Sequence, residues 1–254
     1  MFETPEFNLS LDDFCLFIDA DGTLLDIAPR PEHARASRYL LAILDDLYFA
    51  LEGALAVVSG RRIEDIDALF APLRLPASGI HGAQLRRSPQ GPILEGDAPD
   101  IPAPVVRAIA ATAARHPGVF VENKGKALAV HWRAAPEREG ALWAELSQAL
   151  EDVAAPALAI LRGHCVFEIK SSSTTKGDAV SAFMHTAPFA GRAPVFIGDD
   201  VTDIAGMAVA KAFGGRAYSV GQMLEGADGA FASPSDVRAW LERLVAARTK
   251  AQRA

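Results

Sequence analysis

A chain of 254 residues, half of them hydrophobic and 22% charged, is long enough to bury a sizeable core as one large domain or two modest ones. Lys and Arg total 25 against 32 Asp and Glu, a formal charge of −7, which excludes a general pull toward nucleic acid or an anionic membrane. An anionic ligand then needs a local basic site. Cys15 and Cys165 sit in apolar runs and read as small core residues, a usage that suits a reducing compartment. The opening MFETPEFNLSLDD shows no basic-then-apolar signal pattern, and no apolar run reaches the roughly 20 residues that span a bilayer. The expectation is a cytoplasmic protein with no nucleic-acid and no membrane partner.

Phe14-Cys15-Leu16-Phe17-Ile18 is short, apolar and β-prone, and predicts a buried parallel strand. It runs into Asp19-Ala20-Asp21-Gly22-Thr23, which places two carboxylates at the strand's carboxyl edge, where open α/β sheets bind ligands. Two such aspartates repel unless a cation lies between them, and a hard divalent ion, Mg²⁺ above all, suits oxygen ligands. Asp19 then reads as a carboxylate nucleophile toward phosphorus, and Asp21 as the acid or base beside it. A solvated Asp-Gly turn fits the same residues.

A proline-punctuated loop follows at Pro29-Arg30-Pro31, then apolar positions at helical spacing over 33–51. Ala54–Val58 predicts a second buried strand, ending in Ser59-Gly60-Arg61 before an amphipathic helix over 63–70. Ser59 is placed to hold an anion with the free helix amides, or to serve as an ordinary N-cap. His81, framed by glycines in GIHGA, touches substrate or completes a turn. From Leu85 to Asp100 the composition shifts to Arg, Pro, Gly and Asp and predicts a linker.

Helix 103–115, strands 119–122 and 127–132, helix 136–152, and strands 157–161 and 165–169 follow. Two successive helix–strand–strand groups predict an α+β unit on a small antiparallel sheet. The expected organisation is a core over 1–84 and 173–254, interrupted by an inserted cap over 85–172. The core resumes with a polar loop, Ser171–Thr175, a helix opening at Lys176, and a third buried strand, 194–198, that ends in Asp199-Asp200-Val201-Thr202-Asp203. A short strand over 213–220 and a helix over 234–247 close the chain.

The order DADGT, SGR, loop lysine, GDDVTD along an alternating βα pattern resembles the haloacid dehalogenase superfamily of phosphotransferases. The resemblance implies a Rossmann-like parallel-sheet core with an inserted α+β cap, Mg²⁺ held by Asp19, Asp199 and the Asp21 carbonyl, and Ser59 and Lys176 on the phosphoryl oxygens. Asp200 and Asp203 would order the metal's waters or orient Lys176.

Within that superfamily, DGTLLDIAPRP, AVVSGRRIEDIDALF, GIHGA and VENKGKALAVHWR resemble the trehalose-6-phosphate phosphatase family from Phe17 to about Trp240. That likeness implies that Glu122, Lys124 and Glu168 hold the sugar hydroxyls, and it suggests a functional link to a trehalose-6-phosphate synthase; Arg61 and His81 are the further candidates for substrate contact. His131 and Arg133 read as packing or salt-bridge residues. The chain departs from the family at Ile204, where a carboxylate is usual, and in the Ser/Thr-rich loop 171–175. A phosphatase for sucrose 6-phosphate or mannosyl-3-phosphoglycerate, and a non-catalytic phosphosugar-binding module, are the alternatives.

Overall fold

The computed structural model describes residues 11–28, 34–163 and 165–251; the Pro29–Pro31 loop and His164 lie outside them. The chain divides into two compact units, one running to Gly96 and resuming at Thr175, the other Asp97–Thr174.

The first unit is built on β1 (Phe14–Ile18), α1 (Arg38–Ala50), β2 (Leu55–Val58), α2 (Ile63–Phe70), β3 (Ala77–Gly79), β4 (Gln84–Arg86) and β5 (Leu94–Glu95). After the second unit come α5 (Lys176–Met184), β10 (Ala193–Gly198), α6 (Ile204–Ala212), β11 (Arg216–Val220), β12 (Gly229–Phe231) and α7 (Pro234–Ala251). Its sheet has the order β12-β11-β10-β1-β2-β3-β4-β5 and is parallel from β12 to β3. Every residue of β1 and β2 is buried, as expected of parallel strands covered on both faces. Ser37 caps α1 by accepting the Leu40 amide at 3.1 Å, which satisfies one of the free N–H groups at the helix start.

Three features differ from the sequence reading. Part of the expected linker is sheet: β4 and β5 extend the core antiparallel to β3. Such short strands, carrying Gln and Arg, show no apolar alternation to read. Helix α6, IAGMAVAKA, is apolar nearly all round and so gives no amphipathic stripe. Strand β12 spans three residues, too few to carry a period.

The second unit contains α3 (Ala103–Ala113), β6 (Phe120–Asn123), β7 (Ala127–His131), α4 (Glu139–Asp152), β8 (Leu158–Gly163) and β9 (Val166–Ser171). Its antiparallel sheet has the order β6-β7-β9-β8, so the two helix–strand–strand halves meet where β7 pairs with β9. Leu128, Val130, Phe167 and Ile169 point to Ile109, Leu142 and Leu146 of the helices and form this unit's core. Alternation then sends Phe120, Glu122, Ala129, His131 and Glu168 to the opposite, helix-free face. Among the described residues no helix is long and apolar enough to cross a membrane.

Candidate active site

The site of the first unit forms where three parallel strands end. Asp19 leaves β1 with its amide bonded to the Ile197 carbonyl of β10 at 2.9 Å. The chain then turns sharply: the Leu24 and Leu25 amides return to the Ala20 carbonyl at 3.0 and 2.9 Å, and the Gly22 amide meets the Leu25 carbonyl at 2.8 Å. Gly22 has φ +81°, and a Cβ there would overlap the Asp199 carboxylate. Glycine is therefore required twice over, for conformation and for space.

Strand β10 delivers Asp199, Asp200 and Asp203 to the same edge. Asp203 is fully buried, and donors meet both of its oxygens. Oδ1 accepts from Lys176 Nζ at 2.7 Å, while Oδ2 accepts the Asp199 and Asp200 amides at 3.1 and 3.0 Å. Lys176 Nζ also lies 2.9 Å from Asp19 Oδ1. The lysine is aimed by a capping box, in which Thr175 and Asp178 bond reciprocally at the start of α5. Thr23 donates its hydroxyl to Asp199 Oδ1 at 3.1 Å.

Asp19, Asp199 and Asp203 offer carboxylate oxygens all within 4.8 Å of one another. Burial, with Asp203 and Asp21 adding repulsion against the pull of Lys176, raises the Asp19 carboxyl to about 6. Burial and the neighbouring Asp19 and Asp203 raise Asp199 to about 9. Lys176 sits between Asp19 and Asp203, whose attraction outweighs its desolvation, so its ammonium is held charged. Hard oxygen donors that burial and mutual repulsion push toward protonation form a set that fits a divalent cation, which restores their charge. Asp203 is already committed to Lys176 and two amides, so Asp19 and Asp199 are the carboxylates with oxygen atoms to offer.

On the neighbouring strand, Ile18 is in register with Val57, which brings Ser59 to the same edge as Asp19. Ser59 Oγ accepts the Arg61 amide at 3.3 Å, and the Ser59 carbonyl accepts the His81 amide at 3.1 Å. Arg61 holds Asp21 in a two-pronged pair, Nε to Oδ2 at 2.6 Å and Nη2 to Oδ1 at 2.8 Å. His81 is buried in a left-handed conformation, φ 52° and ψ 37°.

The second unit, taken by itself, gathers the other sequence candidates on its helix-free face. Glu122 Oε2 lies 2.9 Å from His131 Nε2, and Lys124 Nζ lies 3.1 Å from Glu168 Oε1. Burial alone would raise the Glu122 carboxyl, but the His131 bond and the charge of Lys124 bring it below its ordinary value. His131 thus makes the polar contact that one of its two readings foresaw.

Two further groups brace the core site without a motif to announce them. Gln222 donates to the Asp199 carbonyl at 3.0 Å, and Arg238 of α7 to the Leu24 carbonyl at 2.9 Å. Each works through a backbone or neighbouring atom far away in sequence, so no local pattern marks it.

Residues 17–216 match the sequence model of a family described as trehalose-phosphatase. The chain is 40% identical over 246 residues to the trehalose-6-phosphate phosphatase of Escherichia coli strain K12, spanning 96% of this chain and 90% of that one. The C-terminal domain of the Candida albicans trehalose-6-phosphate phosphatase superposes with a TM-score of 0.84 at 21% identity, covering 96% of this chain and 99% of that one. BT1666 of Bacteroides thetaiotaomicron, a phosphatase of the haloalkanoate (HAD) enzyme superfamily, superposes with a TM-score of 0.60 at 18% identity, covering 94% and 98%. The two structural likenesses speak for the fold.

Proposed function

The chain belongs to the trehalose-phosphatase family, and from that premise we propose that it hydrolyses trehalose 6-phosphate to trehalose and phosphate through an aspartyl-phosphate on Asp19, with Mg²⁺ as cofactor. The observation that carries the reading is the convergence of Asp19, Lys176, Asp199 and Asp203 at the ends of β1 and β10 and the start of α5.

A free Asp19 oxygen attacks phosphorus as the bond from phosphorus to the sugar oxygen breaks, and Asp21 gives that oxygen its proton. Asp21 then takes a proton from water, whose oxygen attacks the same phosphorus and releases Asp19 and inorganic phosphate. Lys176 offsets charge on Asp19 and on the phosphoryl oxygens, and Asp203 keeps its ammonium in place. Ser59 donates its hydroxyl to a phosphoryl oxygen. Arg61 keeps the Asp21 carboxylate oriented and, with His81, contacts the substrate. Mg²⁺, held by Asp19, Asp199 and the Asp21 carbonyl, would neutralise charge between the nucleophile and the phosphoryl group. Glu122, Lys124 and Glu168 bind the sugar hydroxyls, a pairing that carboxylates and ammonium suit well. A trehalose-6-phosphate synthase would supply the substrate, and the cytoplasm is the setting we assign.

Phosphate release with Mg²⁺ is the test, measured on trehalose 6-phosphate, sucrose 6-phosphate, glucose 6-phosphate and mannosyl-3-phosphoglycerate, with Asp19→Asn and a chelator alongside. We expect strong preference for trehalose 6-phosphate, abolished by either treatment. Even release across the panel would discard the assigned sugar, and release that survives Asp19→Asn would discard the nucleophile.

A further inference from the structure

Among the described residues of the 97–174 unit, Phe120 is the one large hydrophobic side chain left exposed, at 44%. A lone exposed phenylalanine is ordinary on a protein surface; the surroundings of this one are not. Phe120 stands directly opposite His131 in the β6–β7 register. The two rings stack with centroids 4.5 Å apart and planes 17° from parallel. His131 is fixed in turn by Glu122, 2.9 Å away. The exposed ring is therefore held at a set angle, at little further cost in side-chain entropy when something settles on it.

It also shares a face with the proposed sugar-binding groups. Along β6, Phe120 and Glu122 are two residues apart and point the same way. Glu122, Ala129 and Glu168 form one row across β6, β7 and β9. With strands roughly 4.8 Å apart, the backbones of Glu122 and Glu168 stand about 10 Å apart across the small Ala129, with the Phe120–His131 row beside them. Carboxylates take the hydroxyls of a sugar ring; its C–H face remains to be covered, and a rigid aromatic surface does that.

Resting on the phosphosugar reading given above, we propose that Phe120, braced by His131, is a specificity-determining platform for a sugar ring of the disaccharide substrate. It contributes to binding the sugar and nothing to the chemistry at phosphorus.

The test compares full-length wild type, Phe120→Ala and Phe120→Trp on trehalose 6-phosphate, on glucose 6-phosphate, and on acetyl phosphate, which has no ring to stack. Phe120→Ala should raise KM for trehalose 6-phosphate about fivefold, with kcat for that substrate and both constants for acetyl phosphate unchanged. Phe120→Trp should restore the wild-type KM. If wild type prefers trehalose 6-phosphate over glucose 6-phosphate and Phe120→Ala leaves its KM unchanged, the platform is overturned while the underlying reading stands. Equal losses on both esters overturn it as well, since they mark a structural role. A wild-type enzyme with no such preference overturns both the platform and the reading beneath it.

Discussion

Among the described residues, the hydrogen-bond partners of Asp203 are all donors: the Lys176 ammonium on one oxygen and the Asp199 and Asp200 amides on the other. A carboxylate answers both sets, whereas an amide side chain must turn its own N–H₂ toward one of them. Asp203→Asn is nearly isosteric, yet it should cost about 1–3 kcal/mol of stability through a buried group left unsatisfied. It should also lower kcat, because Lys176 loses the partner that fixes it beside Asp19. Urea unfolding and steady-state rates check this; an unchanged midpoint would remove Asp203 from the role assigned to it. The same logic explains what the sequence could reveal at this scale. Asp19, Lys176 and Asp199 are legible because each ends or begins an element with a recognisable signature. Gln222 and Arg238 are not, because they reach main-chain atoms distant in sequence, a relation that exists only after folding.

Helices and strands were readable in proportion to their burial pattern. Strands β1 and β2 announce themselves as continuous apolar runs, and the strands of the 97–174 sheet as short apolar runs flanking turn residues. Strands β4 and β5 do not, because β4 buries a charged side chain where a strand usually buries an apolar one and β5 is two exposed residues long. Arg86 of β4 is wholly buried, and its guanidinium grips Asp67 of α2 at 2.6 and 2.5 Å and the Leu75 carbonyl at 2.9 Å. Burial alone would raise the Asp67 carboxyl, but its bonds to Arg86 and Arg74 outweigh that and hold it below the ordinary value near 3.8. A carboxylate depressed in the folded state contributes stability above its unfolded value and loses it as pH falls through the folded one. Acidification below about pH 4 should therefore weaken the protein, and Asp67→Asn with Arg86→Met should shrink the difference between urea midpoints at pH 7 and pH 3. If wild type and variant lose equal stability on acidification, this pair does not hold the sheet edge.

The molecule as a whole is one discontinuous unit interrupted by a continuous one. Within the first unit, the two residues that flank the interruption, Gly96 and Thr175, lie against one short stretch. The Gly96 amide bonds the Ala83 carbonyl at 2.7 Å, and the Thr175 carbonyl packs so closely on Gly82, φ +103°, that no Cβ would fit there. Replacing 97–174 with a short Gly/Ser linker should leave a cooperatively folding core that hydrolyses acetyl phosphate with a divalent cation and shows no preference among phosphosugars. Loss of cooperative melting, or a retained sugar preference, would contradict that division of labour. The pairing of β1 with β10, Phe14 against Ala193, has a consequence for synthesis. As the chain emerges from a ribosome, residues 97–174 can close on themselves while β1, with an apolar edge exposed, waits for a partner made far later. A chain cut short before Asp203 holds the nucleophile without the full set of groups that govern it. Early termination should thus yield a fragment without turnover whose unpaired β1 edge invites aggregation.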